Sequence, residues 1–163
     1  RNTVGSMEFG GCFLNKRLNR NNDGGTIRRT TDIFQLATTV LFQNPVQNFA
    51  LAPNNLEDVS PVCMDYMKTI PTTWDETCFI DGYPGKYVVL ARRHGDTWYL
   101  AAVNAGKETL KLKLDLEMFA GKTVSLYKDD KKGAPQLVPL KVKENGKVQL
   151  EILPQGGAVL VNK

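Results

Sequence analysis

The sequence is poor in the side chains that carry most enzyme chemistry. Among 163 residues there is one histidine, His94, and there are three cysteines, Cys12, Cys63 and Cys78, far apart in the chain. No cysteine pair has the C-x₂-C spacing of a zinc site, and an odd number leaves at least one thiol unpaired within the chain. His94 lies in Arg92-Arg93-His94-Gly95-Asp96, a turn sequence that reads as solvated, and nothing places a serine and an aspartate beside it for a triad. No apolar run approaches the ~20 residues of a membrane helix, so no span is expected. The chain starts at Arg1, with no charged segment leading into an apolar one, so no signal peptide is visible and the sequence reads as a piece of a longer protein.

What is present is ordinary for a globular protein: 42% hydrophobic and 23% charged residues, which excludes a disordered or collagen-like chain. The net charge is +4, but Lys and Arg are scattered apart from short pairs such as Arg28-Arg29 and Lys131-Lys132. A nucleic-acid binder concentrates its cations on one face, so no nucleic-acid partner is expected.

The hydrophobic period divides the chain near residue 70. Residues 1–29 are rich in Gly and Asn and read as mostly irregular. Thr30 or Thr31 can cap a helix to about Gln43, with Ile33, Leu36, Ala37, Val40 and Leu41 on its apolar stripe and Asn44-Pro45 ending it. The stripe is expected to pack on the rest of the chain or on a second copy. A second helix fits Leu56 to Lys68, with Leu56, Val59, Cys63, Tyr66 and Met67 on one face and Pro61 in its first turn or at its start.

From Thr73 the period becomes 2. Leu110, Leu112, Leu114 and Leu116 alternate with Lys111, Lys113 and Asp115, and Val148, Leu150 and Ile152 alternate with Gln149 and Glu151. Such alternation gives antiparallel strands with one dry face, and Asn145-Gly146 between two of them predicts a hairpin. Seven or eight strands in about ninety residues predict a small β-sandwich, with Leu110, Leu112, Leu114, Leu150 and Ile152 buried. The fold class is therefore mainly β: a C-terminal antiparallel β-sandwich preceded by a loop and two helices.

Four segments resemble glycoside hydrolase family 97. Arg1-Asn2-Thr3-Val4-Gly5-Ser6-Met7-Glu8-Phe9 is similar to a late barrel segment of that family, R-N-x-V-G-P-M-D-Y, with Ser6, Glu8 and Phe9 in place of Pro, Asp and Tyr. Phe34-Gln35-Leu36-Ala37 with Pro45-Val46-Gln47 resembles its H-Q-L-A…S-P-L-Q stretch, with Phe34 in place of His. Thr72-Thr73-Trp74-Asp75-Glu76-Thr77 and Tyr87-Val88-Val89-Leu90-Ala91-Arg92-Arg93 match most closely. The resemblance implies α-glucosidase or α-galactosidase activity in a parent of three parts, an N-terminal β-sandwich, a (β/α)₈ barrel and a C-terminal β-sandwich. It makes residues 1–69 the end of the catalytic barrel and residues 70–163 the C-terminal sandwich. It also implies calcium for the parent enzyme and a periplasmic or secreted location. The family's catalytic carboxylates, calcium ligands and specificity residues lie upstream, so no catalytic and no metal-binding residue falls on this chain.

Glycosidic cleavage needs two carboxyl groups about 5–9.5 Å apart across the bond, and barrel sites are assembled from the ends of several strands. Alone, this chain is expected to be inactive. Glu8 is the substrate-binding candidate, with a solvated loop carboxylate as the other reading. Asp75 and Glu76 are neighbours on an extended backbone and point apart, so they suit a turn better than a sugar site; Trp74 reads as an interlayer plug. Asp129-Asp130-Lys131-Lys132 reads as a solvated loop. Asn21-Asn22-Asp23-Gly24 lacks the alternating ligands of a calcium loop. The expected role is an accessory sandwich that supports the barrel or oligomer contacts, its partners being the remainder of the enzyme or a second copy. The alternatives are a carbohydrate-binding module, should Tyr83, Tyr87, Trp98 or Tyr99 prove coplanar and exposed, and a non-catalytic structural domain.

Overall fold

A six-stranded antiparallel sheet sits between two unlike covers. The computed structural model describes residues 9–12, 14, 28–51, 53 and 56–162. The sheet runs β3-β4-β5-β10-β7-β8, where β3 is Glu76–Tyr83, β4 Tyr87–His94, β5 Thr97–Asn104, β7 Thr123–Asp129, β8 Pro135–Lys141 and β10 Gly157–Val161. A separate antiparallel pair, β6 (Leu110–Asp115) with β9 (Lys147–Ile152), covers one face. Helices α1 (Asp32–Leu41) and α2 (Pro61–Met67) cover the other.

The alternating segments build the sandwich as predicted. Leu112, Leu114, Leu150 and Ile152 are buried, Leu110 is half-buried at the rim, and Lys111 and Glu151 stand opposite each other on the wet face. Their apolar face meets Val89, Ala91, Leu100, Ala102, Ala158 and Leu160 of the large sheet. The central strands β4, β5 and β10 carry near-continuous apolar runs because both of their faces are covered.

The predicted helix α1 forms where its stripe requires. The Thr31 hydroxyl accepts from the Phe34 amide at 3.1 Å and caps it. Ile33, Leu36, Val40 and Leu41 are buried against β4, β5 and β10. The stripe is therefore covered by the chain's own sheet. Gly157 allows the close approach: a Cβ there would lie 2.8 Å from the Ile33 carbonyl oxygen and 2.8 Å from the Phe34 Cα.

One element obeys a different rule. Strands β1 (Phe9–Cys12) and β2 (Gln47–Phe49) pair in parallel, with α1 between them in sequence. This is the connectivity of a βαβ unit. Within the described residues it is a two-stranded parallel sheet, a form found almost only as part of a larger α/β sheet.

Three expectations are corrected. The second helix does not begin at Leu56, which is exposed; it starts at Pro61, the second of the two places expected for that proline, where its missing N–H costs nothing. Asn145-Gly146 forms a turn, with the Gly146 amide donating to the Lys143 carbonyl at 2.9 Å, but it joins no hairpin. Its flanking strands β8 and β9 belong to different sheets, because β8 pairs with β7 and β9 with β6. Asp129 is not in a solvated loop; it ends strand β7 and is buried.

Candidate functional site

Glu8 and the Asn21-Asn22-Asp23-Gly24 run lie outside the described residues. Among the described residues no group of three or more His, Cys, Asp or Glu side chains converges as metal ligands would, and no helix is long and apolar enough to cross a membrane. Asp75 and Glu76 close a turn. Asp75 Oδ2 accepts from the Gly95 amide at 2.7 Å, while Arg93 reaches Glu76 at 3.2 Å and Asp75 at 3.7 Å. Trp74 is wedged between layers, edge-on to Tyr99 at 5.4 Å and under Arg92 at 5.9 Å.

The four aromatics that could grip a sugar do not share an exposed face. Tyr99 is buried under the helices. Trp98 is half-buried beneath Arg93, at the β5 end that pairs with the far end of β4. Tyr87 is half-buried and donates its hydroxyl to Asp81 at 3.1 Å, which with burial pushes its pKa above that of an ordinary tyrosine. Only Tyr83 stands out, with Lys86 4.7 Å from its ring.

The two edges of the large sheet differ. β8 carries Pro135, Pro139 and Lys141, the residues that blunt a free edge. β3, reading Glu76-Thr77-Cys78-Phe79-Ile80-Asp81-Gly82-Tyr83, has neither proline nor lysine. Phe79 is 67% exposed and Tyr83 59% exposed, more than any other described large apolar residues. They flank a cleft of about 400 Å³ lined also by Gly82, Tyr87, Val88 and Val103. A larger hollow of about 600 Å³ lies by β6, β8 and β9. Its lysines, Lys113, Lys141, Lys143 and Lys147, are all exposed, and none of the described buried polar atoms left without a partner belongs to its lining.

Buried charge gathers at the two ends of α1. At its N-terminus, Asp129 Oδ2 accepts from the Thr31 hydroxyl at 2.8 Å and from the Gly157 amide at 3.1 Å. Burial pushes the Asp129 carboxyl up to about 6, against the pull of those two donors. Arg28 pairs with Asp32 beside it. At the C-terminus, fully buried Arg92 donates to the Leu41 carbonyl at 3.3 Å, and burial lowers its pKa. Its Nε and Nη1 find no partner. An anion at the first turn and a cation at the last both suit the helix dipole, so the sheet holds α1 electrostatically at each end. The Asp129 contact was hidden in the sequence by its run of charges.

The model of a family described as "Glycosyl-hydrolase 97 C-terminal, oligomerisation" matches residues 73–162. A retaining alpha-galactosidase of Bacteroides thetaiotaomicron is 30% identical over 133 residues, covering 77% of this chain and 20% of that protein. The crystal structure of a beta-arabinopyranosidase is 84% identical, with a TM-score of 0.95, over 99% of this chain and 26% of that one. A glycoside hydrolase family 97 enzyme from Pseudoalteromonas sp. strain K8, solved with acarbose, shares the fold at 24% identity and a TM-score of 0.79, over 97% of this chain and 26% of that one. This chain thus spans a fifth to about a quarter of these relatives' length.

Proposed function

The chain belongs to the glycoside hydrolase family 97 C-terminal family, and from that premise we propose that it is the tail of a glycosidase whose catalytic carboxylates lie upstream. The observation that carries this reading is the parallel pair β1–β2 joined through α1. Among the described residues this pair has no further neighbour, and parallel strands belong to larger sheets such as the one a barrel would supply. On this reading residues 1–69 end the barrel, and residues 70–163 form the accessory sandwich that braces it and carries contacts between copies. The family match beginning at residue 73 supports that division.

The substrate class is an α-galactoside or a β-arabinopyranoside. The 84% identical relative is a beta-arabinopyranosidase and the 30% identical one a retaining alpha-galactosidase. L-Arabinopyranose is the galactose ring without its hydroxymethyl group, and a β-L-arabinopyranoside presents its glycosidic bond as an α-D-galactoside does. A pocket tells the two apart by the space it leaves at C5, a discrimination of about 1–3 kcal/mol for one small group. Glu8, in the segment that resembles the barrel mouth, is the substrate-binding candidate of this chain. Calcium is expected for the parent through its upstream residues; no cluster among the described residues fits it.

The test is a substrate panel on the intact protein carrying this chain, using nitrophenyl β-L-arabinopyranoside, α-D-galactoside and α-D-glucoside. The arabinopyranoside and galactoside should be cleaved with higher kcat/KM than the glucoside. Preference for the glucoside would overturn the substrate assignment.

A further inference from the structure

We infer that the upstream part of the same protein is seated on the helical side of the six-stranded sheet and reaches past α1 to cover Phe79 on β3. The inference rests on the reading above that a barrel precedes this chain, and adds where on the sandwich that barrel lies.

The two sides of the sheet differ in what they leave bare. Residues paired directly across neighbouring strands point to the same face, so the register assigns each side chain a side. Phe79 pairs with Leu90 and Gly82 with Val88, and both partners pack into the cluster under the helices. Phe79 is therefore on the helical side. A Cβ on Gly82 would lie 3.3 Å from the Phe79 ring, so the ring extends over that glycine on the same face. Leu137 pairs with Tyr127, another member of that cluster, and shares the helical side. Tyr83 pairs with Tyr87, which packs toward β6–β9, and so faces the other way. Of the exposed large apolar side chains among the described residues, Val46 and Leu56 lie in the segments leading to β2 and α2, and Phe79 and Leu137 lie on the helical side. Only Tyr83 is on the sandwich side. Bare apolar surface of this kind marks a contact, and it is concentrated where the helices are.

The strip around Phe79 continues an existing contact. Val103 belongs to the cluster under the helices and Val88 packs against it, and Phe79 and Gly82 carry the same surface outward. Its chemistry suits a permanent neighbour. On the helical side β3 presents Thr77, Phe79 and Gly82, without a charge. Glu76 and Asp81 face the sandwich side, as their partners Arg93 and Val89 do. Lys86, in the turn, is the one charged residue lining the cleft. Obligate interfaces are apolar in this way. The occupant follows from what already lies on this side: α1 crosses it, and the β1–β2 pair that α1 connects has no further neighbour among the described residues. A sheet that extends this pair grows on the helical side, and this chain is only about a quarter of its relatives' length.

The test is photo-crosslinking of the intact protein, with benzoylphenylalanine incorporated at position 79 and, on the other side of the sheet, at position 83. The probe at 79 should crosslink within one chain to peptides that precede Arg1, at a yield at least fivefold above that of the probe at 83. Phe79→Lys should lower the melting temperature of the intact protein by several degrees, independent of protein concentration, and Tyr83→Lys should lower it less. Crosslinks from position 79 to a second chain, crosslinks confined to residues 1–163, or no crosslink at all would each overturn the seat. If the protein cleaves the glycoside panel above, such a result leaves the tail-of-a-glycosidase reading intact. A protein inactive on the whole panel overturns that reading and this inference with it.

Discussion

The two faces of the six-stranded sheet are sealed by different physics. Under β6–β9 the contact is hydrocarbon: Leu112, Leu114, Leu150 and Ile152 meet Val89, Leu100 and Leu160. Under the helices the contact is mixed. Of the described buried polar or charged residues, Asp32, Thr38, Thr39, Asn44, Arg92 and Asp129 lie on or beside α1 or on the sheet below it, and Asn104 alone serves the other side. Tyr66 adds a contact of 3.1 Å to the Thr39 hydroxyl and an edge-on contact to Tyr127. Apolar burial is strong but non-directional, whereas hydrogen bonds fix position. The sandwich face supplies stability, and the helical face holds α1, and with it the β1–α1–β2 unit, in one place relative to the sheet.

The largest effect should come from the hydrocarbon face. Leu100 is fully buried there, and Leu100→Ala should cost about 2–5 kcal/mol in chemical denaturation of the enzyme's C-terminal region. A loss below 1 kcal/mol would mean that this face is not the main store of stability. Next comes the closest approach of helix to sheet. Gly157→Ala puts a Cβ against the backbone of Ile33 and Phe34, neither of which can rotate away, and should cost about 1–3 kcal/mol. Hydrogen exchange should then quicken in α1 before it does in β6 and β9; equal quickening would erase the distinction between the faces.

The smallest effect is a pH dependence. Asp129 has a carboxyl pKa raised from 3.8 to about 6 in the folded protein. A raised acid pKa means that folding favours the protonated form. The contribution is complete below about pH 4 and is lost as pH rises through about 6, by on the order of 1–3 kcal/mol. Thr31 and Gly157 donate to this carboxylate, while Asp32, held by Arg28, and Asp130 act on it by charge. Asp129→Asn should flatten the stability slope between pH 4 and 7. A slope equal to that of the wild type would remove Asp129 from the account.

The alternating strands are legible because one of their faces is wet: Leu110 to Leu116 and Val148 to Ile152 alternate because water lies on one side. α1, none of whose residues is exposed, shows its stripe because Gln35, Thr38 and Thr39 off it are held by hydrogen bonds. β4, β5 and β10 lose that signal because both their faces are buried. Asp129 was obscured because its neighbours Asp130, Lys131 and Lys132 are surface residues, and only the fold brings it to Thr31, 98 positions away. The hairpin expected at Asn145-Gly146 failed because a turn's chemistry sets its own bend and not the sheet to which each flanking strand belongs. β1 and β2 gave no strand pattern, since Phe9-Gly10-Gly11-Cys12 and Gln47-Asn48-Phe49 are too short and too rich in Gly and Asn. The edge position of β3 was not legible, because β4, β5 and β10 inside the sheet lack proline and lysine as β3 does.

The most direct measurement compares the 163-residue chain with the intact protein that contains it, each assayed on nitrophenyl α-galactoside, α-glucoside and β-L-arabinopyranoside, with and without calcium. The account predicts turnover by the intact protein and none by the chain alone under either condition, because two carboxyl groups on separate barrel strands are required. Turnover by the chain alone that survives repurification and is abolished by Glu8→Gln would contradict it.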